Sequence, residues 1–244
     1  MTALRQTGLM IQWQLRRGID HLPLLIIVQG LLAVGTIVGF GFLTGELTPE
    51  AALFLSTGAP TITLVTVGLV MTPQMVAEGK REGSLDWLHT LPVPRIVFLI
   101  ADLVMWTLIA LPGLILAVLV GVWKYDLTLS PAPWLVLGLL AVSLTAASVG
   151  YGLATLLPPM VAMLISQLLV FVILLFSPVS FPAERMPGWL QSAHEWLPFE
   201  PMAQVVRGGL ASRTFETPTR SLIVLTVWCL ISVCSAAIVL TKRK

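Results

Sequence analysis

Among the side chains whose types could do chemistry, Asp102 is the one charged group inside a long apolar run. The three histidines, His21, His89 and His194, fall in polar segments. Cys229 and Cys234, five residues apart and on different helix faces, read as packed thiols, not as a disulfide or a metal pair. There is no His-Glu-x-x-His zinc pair, no Gly-x-Ser-x-Gly elbow and no Cys-x-x-Cys, so neither metal-assisted nor nucleophilic catalysis has a constellation to work with. A Gly-x-x-x-x-Gly-Lys-Ser/Thr loop to cradle nucleotide phosphates is also missing. Any uphill work must therefore draw on a partner or on an ion gradient. Gradient-driven carriers place ionisable groups near mid-membrane. Asp102 follows Arg95 by seven residues, about 10 Å of helix, and so sits near one end of its run. A carboxylate there is expected to snorkel or to pair with a basic residue such as Arg17, with proton coupling as the alternative.

A second group of polar residues is denser. Glu78, Lys80, Arg81, Glu82, Asp86 and Arg95 fall within the 18 positions of Glu78–Arg95, out of 26 charged residues in the whole chain. Nothing from Ala51 to Ala77 is charged, and downstream only Asp102 interrupts the run to Lys124. Within this island, Glu78–Glu82 is a charged exit from an apolar run. Ser84 can cap a short helix with Asp86 in its first turn, where a carboxylate meets the positive end of the dipole. Leu85, Leu88 and Leu91 share an edge beside Trp87, and Pro92 and Pro94 end the helix. About two turns with an apolar edge and charged flanks suit the docking of a soluble partner.

The elements that hold these residues follow from composition. The 244 residues are 57% apolar and 11% charged, with a mean hydropathy of +0.93, whereas soluble domains carry about 25% charge. Apolar runs long enough to span a bilayer cover roughly Leu22–Leu43, Leu53–Ala77, Ile96–Val122, Pro133–Leu157, Met160–Phe176 and Leu222–Thr241. Leu157-Pro158-Pro159-Met160 is the turn between the fourth and fifth. With the N-terminus inside, nine Lys/Arg fall on the inner side and five on the outer, so both termini and the charged island are expected in the cytoplasm. Residues 1–21 read as a basic amphipathic interfacial helix, with Leu4, Ile11, Leu15 and Ile19 on the apolar face and Arg5, Gln12, Arg16 and Asp20 opposite. Residues 177–220, rich in Pro and Trp, read as an outer re-entrant hairpin with a Met186, Leu190, Ala193 and Leu197 stripe. The fold class is thus all-α: a polytopic membrane protein of six spans, forming one domain over residues 1–244. Small-residue pairs for close helix contact are Gly35/Gly39, Ala146/Gly150 and Ser148/Gly152.

Two of these segments carry a resemblance. Glu82-Gly83-Ser84-Leu85-Asp86-Trp87-Leu88, followed by Leu91-Pro92-Val93-Pro94-Arg95, resembles the cytoplasmic coupling segment of the type-2 ATP-binding-cassette (ABC) permeases. The family's Glu-x-Gly-Thr/Ser-Leu-Glu-x-Leu pattern differs in that Gly83 directly follows Glu82 and Asp86 replaces Glu. Phe181-Pro182-x-Glu184-x-Met186-Pro187-x-Trp189-Leu190-Gln191, then Leu197-Pro198, Pro201 and Arg207, resembles the family's outer hairpin before the last span. The resemblance implies a half-transporter without a catalytic or nucleotide site of its own. Two permease chains, identical or related, form the pore, and two separate ATPase subunits bind ATP and Mg beneath it. Glu82–Leu88 and Leu91 would then couple to the ATPase, and Pro182, Glu184, Pro187, Trp189, Pro198 and Arg207 would shape the outer hairpin.

Gln29, Thr63, Thr66 and Gln167 lead the polar in-span residues that are candidates to line a pathway, with Thr61, Gln74, Ser143, Thr145 and Ser166 beside them. So thin a polar lining suits an amphiphilic or apolar cargo, a drug-like molecule or lipid. The expectation is an exporter permease in a prokaryotic plasma membrane, contacting lipid and cargo but no nucleic acid. The competing readings are a gradient-driven carrier using Asp102 and a non-transporting structural membrane subunit.

Overall fold

The computed structural model describes residues 3–18, 22–44, 48–83 and 94–242. Among them every extended element is helical, and the one strand-like feature is an isolated parallel bridge between Ser130 and Ala211. Helix α1 covers Ala3–Gly18, α2 Leu22–Thr44 and α3 Pro49–Thr66. A π-helical turn, Val67–Met71, joins α3 without interruption to α4, Thr72–Arg81. Helix α5 is Arg95–Tyr125, α6 Leu135–Leu156 and α7 Pro159–Phe176. A 3-10 turn, Ala183–Arg185, then leads to α8, Gly188–His194, to α9, Phe199–Leu210, and to α10, Thr219–Lys242.

Six segments are long and apolar enough to cross a membrane: α2, the α3–α4 rod, α5, α6, α7 and α10. Crossing alternately, they put the start of α2, the end of α4, the Leu157–Pro158 turn and the end of α10 on one face, called here the terminal face. Thr48, the 126–134 stretch and residues 177–218 lie on the opposite, distal face.

Helix ends follow local chemistry. Thr48 caps α3, its hydroxyl accepting the Ala51 N–H at 3.3 Å with Pro49 as the first helical residue. The helix therefore starts at Pro49 and not at the expected Leu53; Glu50 lowers the local hydropathy but suits the positive end of a helix. Pro159 opens α7, at a position where the missing N–H would have had no partner anyway.

Helix α3 is the axis of the fold. From Ala52 to Thr66 nearly every residue is buried, because Ser56, Gly58 and Ala59 let neighbouring helices approach closely. It packs on α5, α2 and α9, while α6 lies along α10. Leu64, Leu69, Leu99, Val142, Met202 and Val206 meet in one apolar core. By contrast, α2 exposes Leu24 and Leu31, and α7 exposes Leu164 and Leu168; lipid tails are as apolar as leucine, so these faces carry no penalty in a bilayer. Cys229 and Cys234 are free thiols.

The inward edge of helix α1 includes Ile11 of the expected stripe with Met10 and Trp13, packed on Phe98 and Ala101 of α5, while Arg5, Gln12 and Arg16 are exposed. Ile19 and Asp20, and the side chains of Leu4, Leu15 and Arg17, lie outside the described residues. Gln14, one helical turn after Met10, shares that inward edge and donates to the Asp102 carboxylate. Asp102 is thus tied to a neutral amide of α1.

Candidate functional site

The α3–α4 rod leads from the core to the charged island. Pro73 cannot donate to the Leu69 carbonyl and its ring crowds it, and a wider turn relieves both effects. Accordingly the Thr72 N–H reaches back five residues to the Val67 carbonyl. At the same turn a Cβ on Gly68 would lie 2.5 Å from the Ala146 carbonyl carbon and 2.6 Å from the Ala147 nitrogen, and one on Gly150 would run into the Gly68 carbonyl oxygen. The Ala146/Gly150 pair marked in the sequence is therefore a backbone contact between the second and fourth spans, whereas Cβ atoms on Gly35, Gly39 and Gly152 would meet nothing.

Beyond the π-turn, Thr72, Pro73, Val76, Ala77 and Gly79 of α4 are buried, mainly against α6 and α7. Glu78, Arg81 and Glu82 are exposed. The helix closes with the Glu82 N–H on the Glu78 carbonyl at 2.9 Å. Gly83 follows at φ +71°, a left-handed turn that glycine enters without strain. Ser84, Leu85, Asp86, Trp87, Leu88 and Leu91 lie outside the described residues. Just before the exit, Lys80 Nζ donates to the Ala154 carbonyl at 2.6 Å, joining α4 to the last turn of α6.

Some of the in-span polar residues bond to the protein's own backbone, whereas the hydroxyls of Thr61 and Ser166 are buried without a hydrogen-bond partner and Gln74 is exposed. Pro112 lies inside α5, where it cannot bond the Leu108 carbonyl, and Gln29 of α2 bridges the next rung: its Nε2 donates to the Ile109 carbonyl at 2.9 Å and its Oε1 accepts the Gly113 N–H at 3.0 Å. Gln29 is 0% exposed. The Thr63 hydroxyl donates to the Ala59 carbonyl at 3.2 Å, and Thr57, Thr107 and Thr145 bond back to their own helices in the same way. Thr66 is buried, its hydroxyl without a hydrogen-bond partner. Gln167 is exposed on the outward face of α7.

At the distal face the segment before α10 is clamped onto the outer end of α3. Pro182 and Pro187 stand at the starts of the 3-10 turn and of α8, and Pro198 at the start of α9. Each presets the backbone while giving up an N–H that a helix start does not use. Glu184 and Trp189 are exposed. Arg207 is buried: its Nη2 donates to the Val179 carbonyl at 2.8 Å, and the guanidinium stacks 3.4 Å from the Phe54 ring centroid. The Phe54 ring meets Phe215 edge-on at 6.0 Å. Burial lowers the Arg207 pKa to about 9, against the pull of nearby Glu200. The end of α9 is stitched to the segment preceding α6 by Ser130 N–H to the Leu210 carbonyl (3.1 Å) and Ala132 N–H to the Gly209 carbonyl (2.8 Å). Met186 and His194 are the buried residues of α8 and its lead-in, and Ala193 of the expected stripe is exposed. Burial pushes the His194 pKa down, while it raises that of Glu200, helped by Glu195.

The roles of Gln29 and Lys80 beside prolines could have been suspected from Pro112 and Pro158. Which side chain reaches each site is tertiary information. The Phe54–Arg207 stack had no sequence signal. Compared with known families, the chain matches the family described as ABC-2 type transporter over residues 5–211. No curated protein matches the chain.

Proposed function

Because the chain belongs to the ABC-2 type transporter family, a membrane permease component that works with separate ABC ATPase subunits, we propose that it is the pore-forming half of an ATP-driven exporter for an amphiphilic or apolar cargo. The observation that carries this is the unbroken α3–α4 rod, which runs from the buried axis of the fold to Glu82 and Gly83 and hands any push on the following segment to the core. In this reading Ser84–Leu91 is the coupling helix, Glu82, Gly83, Ser84, Leu85, Asp86, Trp87, Leu88 and Leu91 meet the ATPase, and the terminal face is cytoplasmic. Two ATPase subunits bind ATP and Mg, and a second permease, identical or related, completes the pore in a prokaryotic plasma membrane. Helix α1 lies in the headgroup layer, residues 177–220 form the re-entrant outer hairpin, and residues 1–244 act as one domain.

The cargo class is supported by where the polar groups go. Hydroxyls of Thr57, Thr63, Thr107 and Thr145 are taken by their own helices, and Gln29 by α5; what is left buried among the spans is neutral hydroxyls such as those of Thr61, Thr66 and Ser166, which suit an uncharged or amphiphilic cargo better than a highly charged one. Gln167 is the residue of the candidate set placed to face a path or a partner. Asp102, held by Gln14 near the terminal-face end of α5, serves as a tie for α1 and not as a proton relay.

The test is to change Leu85→Asp or Leu88→Asp in the intact complex. The permease should still insert, but the ATPase should no longer co-purify or its activity should no longer respond to the membrane domain. Full complex formation and full ATPase response in both variants would overturn the coupling assignment.

A further inference from the structure

The second span changes neighbours at its π-turn. Before it, α3 packs on α2, α5 and α9; after it, α4 packs mainly on α6 and α7. The π-turn is pinned at this changeover by the Gly68–Gly150 backbone contact, and wider turns of this kind are common hinge points. One further tie joins α4 to α6. Helix α6 closes with the Leu157 N–H on the Leu153 carbonyl, Leu157 itself being extended, so the carbonyls after Leu153 stand at an open helix end, where Pro158 brings no N–H either. Lys80 donates there, with Nζ 2.6 Å from the Ala154 carbonyl oxygen. A cation at a helix C-terminus is also favoured by the helix dipole. Away from bulk water, a carbonyl left without any donor would be costly.

We propose that Lys80 is a positioning residue that locks α4 to α6, so that α4, α6 and the start of α7 move as one lever about the π-turn when the ATPase acts on the segment after Gly83. The inference rests on the coupling role proposed above and adds which span the push reaches next. Movement of α4 is delivered to the fourth span through Lys80 and Ala154, and from there to the fifth across the Leu157–Pro158 turn. Helices α2, α3 and α5 form the body against which the lever turns.

The experiment measures distances in the purified complex of permease and ATPase, with Cys229→Ser and Cys234→Ser as background. Spin labels are placed at Glu78→Cys with Leu156→Cys, and separately at Glu78→Cys with Ile96→Cys. All three sites are exposed. Distances are read without nucleotide and after trapping with ATP, Mg and vanadate. The 78–156 separation should hold to within about 2 Å while the 78–96 separation shifts by about 5 Å, the scale of one helical turn. In Lys80→Met, trapping and ATPase co-purification should persist but the 78–156 distance should shift or broaden, and Lys80→Arg should restore it. The lever is overturned if 78–156 shifts in the unmodified chain as much as 78–96, or if Lys80→Met leaves it fixed. If vanadate is trapped and neither distance responds in the unmodified chain, the coupling role itself fails and the lever with it.

Discussion

Replacing Gln29 by leucine tests whether this amide is a structural repair or a cargo contact. Leucine keeps most of the volume but removes both bonds, leaving the Ile109 carbonyl and the Gly113 N–H opposite a methyl group at a fully buried site. Each orphaned group costs about 1–3 kcal/mol when nothing relaxes. Interhelical hydrogen bonds inside membranes average only about 0.6 kcal/mol, with a maximum near 1.7. The rung between 109 and 113 can partly close on itself once the amide is gone, so the two bonds together are worth about 1–3 kcal/mol. For a chain of this size that is a fall of roughly 3–10 °C in melting temperature, readable as loss of the monodisperse peak after heating in detergent. Gln29→Glu should be worse than Gln29→Leu, because a carboxylate accepts from Gly113 but repels the Ile109 carbonyl and buries a charge. In Gly113→Ala the new Cβ would lie 2.5 Å from Thr63 Cγ2 and 2.7 Å from Gln29 Cβ, so it should mimic the leucine variant and combine with it less than additively. A Gln29→Leu protein that melts within about 1 °C of the parent, or a well-tolerated Gln29→Glu, would refute the repair and return Gln29 to the pathway.

Two further outcomes concern the distal clamp. Arg207→Met should be close to neutral in stability, since it removes a buried cation along with its bond to Val179 while still filling the space beside Phe54. Arg207→Ala should cost about 2–4 kcal/mol, because it leaves a cavity as well; equal melting temperatures for the two would show that filling the space beside Phe54 contributes nothing. The second outcome is a pH effect at His194, whose pKa is lowered in the fold. The unfolded chain binds the proton more readily, so stability at this site is intact above the ordinary value of 6.5 and is lost as pH falls from there towards the lowered value, by at most about 1.4 kcal/mol per pH unit. Glu200 works in the opposite sense: its raised pKa favours the fold at low pH, and that contribution fades as pH rises above its ordinary 4.5. The opening free energy of residues 177–200, taken from hydrogen exchange after division by the intrinsic base-catalysed rate, should therefore fall between pH 7 and 5 in a Glu200→Gln background, and His194→Gln should abolish the change. An opening free energy that is flat with pH before His194 is altered would contradict the burial argument.

What the sequence made legible, and what it did not, separates along a physical line. Span positions depend on summed apolar transfer energy, a local quantity, and so α2, α5, α6, α7 and α10 fall within a few residues of the hydropathy reading. The start of α3 was missed because capping by Thr48 and Pro49 is favourable at a place where hydropathy is not. The π-turn at Val67–Met71 is half legible: Pro73 marks a strained rung locally, but the close approach of Gly68 to Ala146 and Gly150, about eighty positions away, is tertiary. The same holds for Asp102: its depth along α5 could be counted from Arg95, but finding Gln14 beside it required knowing which edge of α1 faces α5. Among the candidate site residues, Arg207 carried no sign in its neighbours that it would be buried beside Phe54. The segment from Ser84 to Leu91 still rests on its sequence pattern alone.

Gln29 and Lys80 solve the same problem, and the shared solution explains why these particular polar residues are worth keeping in so apolar a chain. A proline leaves the helix around it short of a backbone bond, and where water is scarce another group must stand in. Here side chains from other helices do so: Gln29 of α2 bridges Ile109 and Gly113, the rung next to the one Pro112 removes, and Lys80 of α4 donates to Ala154 at the open end of α6, just before Pro158. Each proline thus marks a junction where a second helix attaches. At Pro112 the junction lies in the packed interior and joins two helices, α2 and α5, that also pack along each other, so it stiffens. At Pro158 it lies one residue before α7, and its donor is the last residue but one of the helix leading to the island. In the lever proposed above, a push on that helix either carries α6 with it or breaks the Lys80–Ala154 bond.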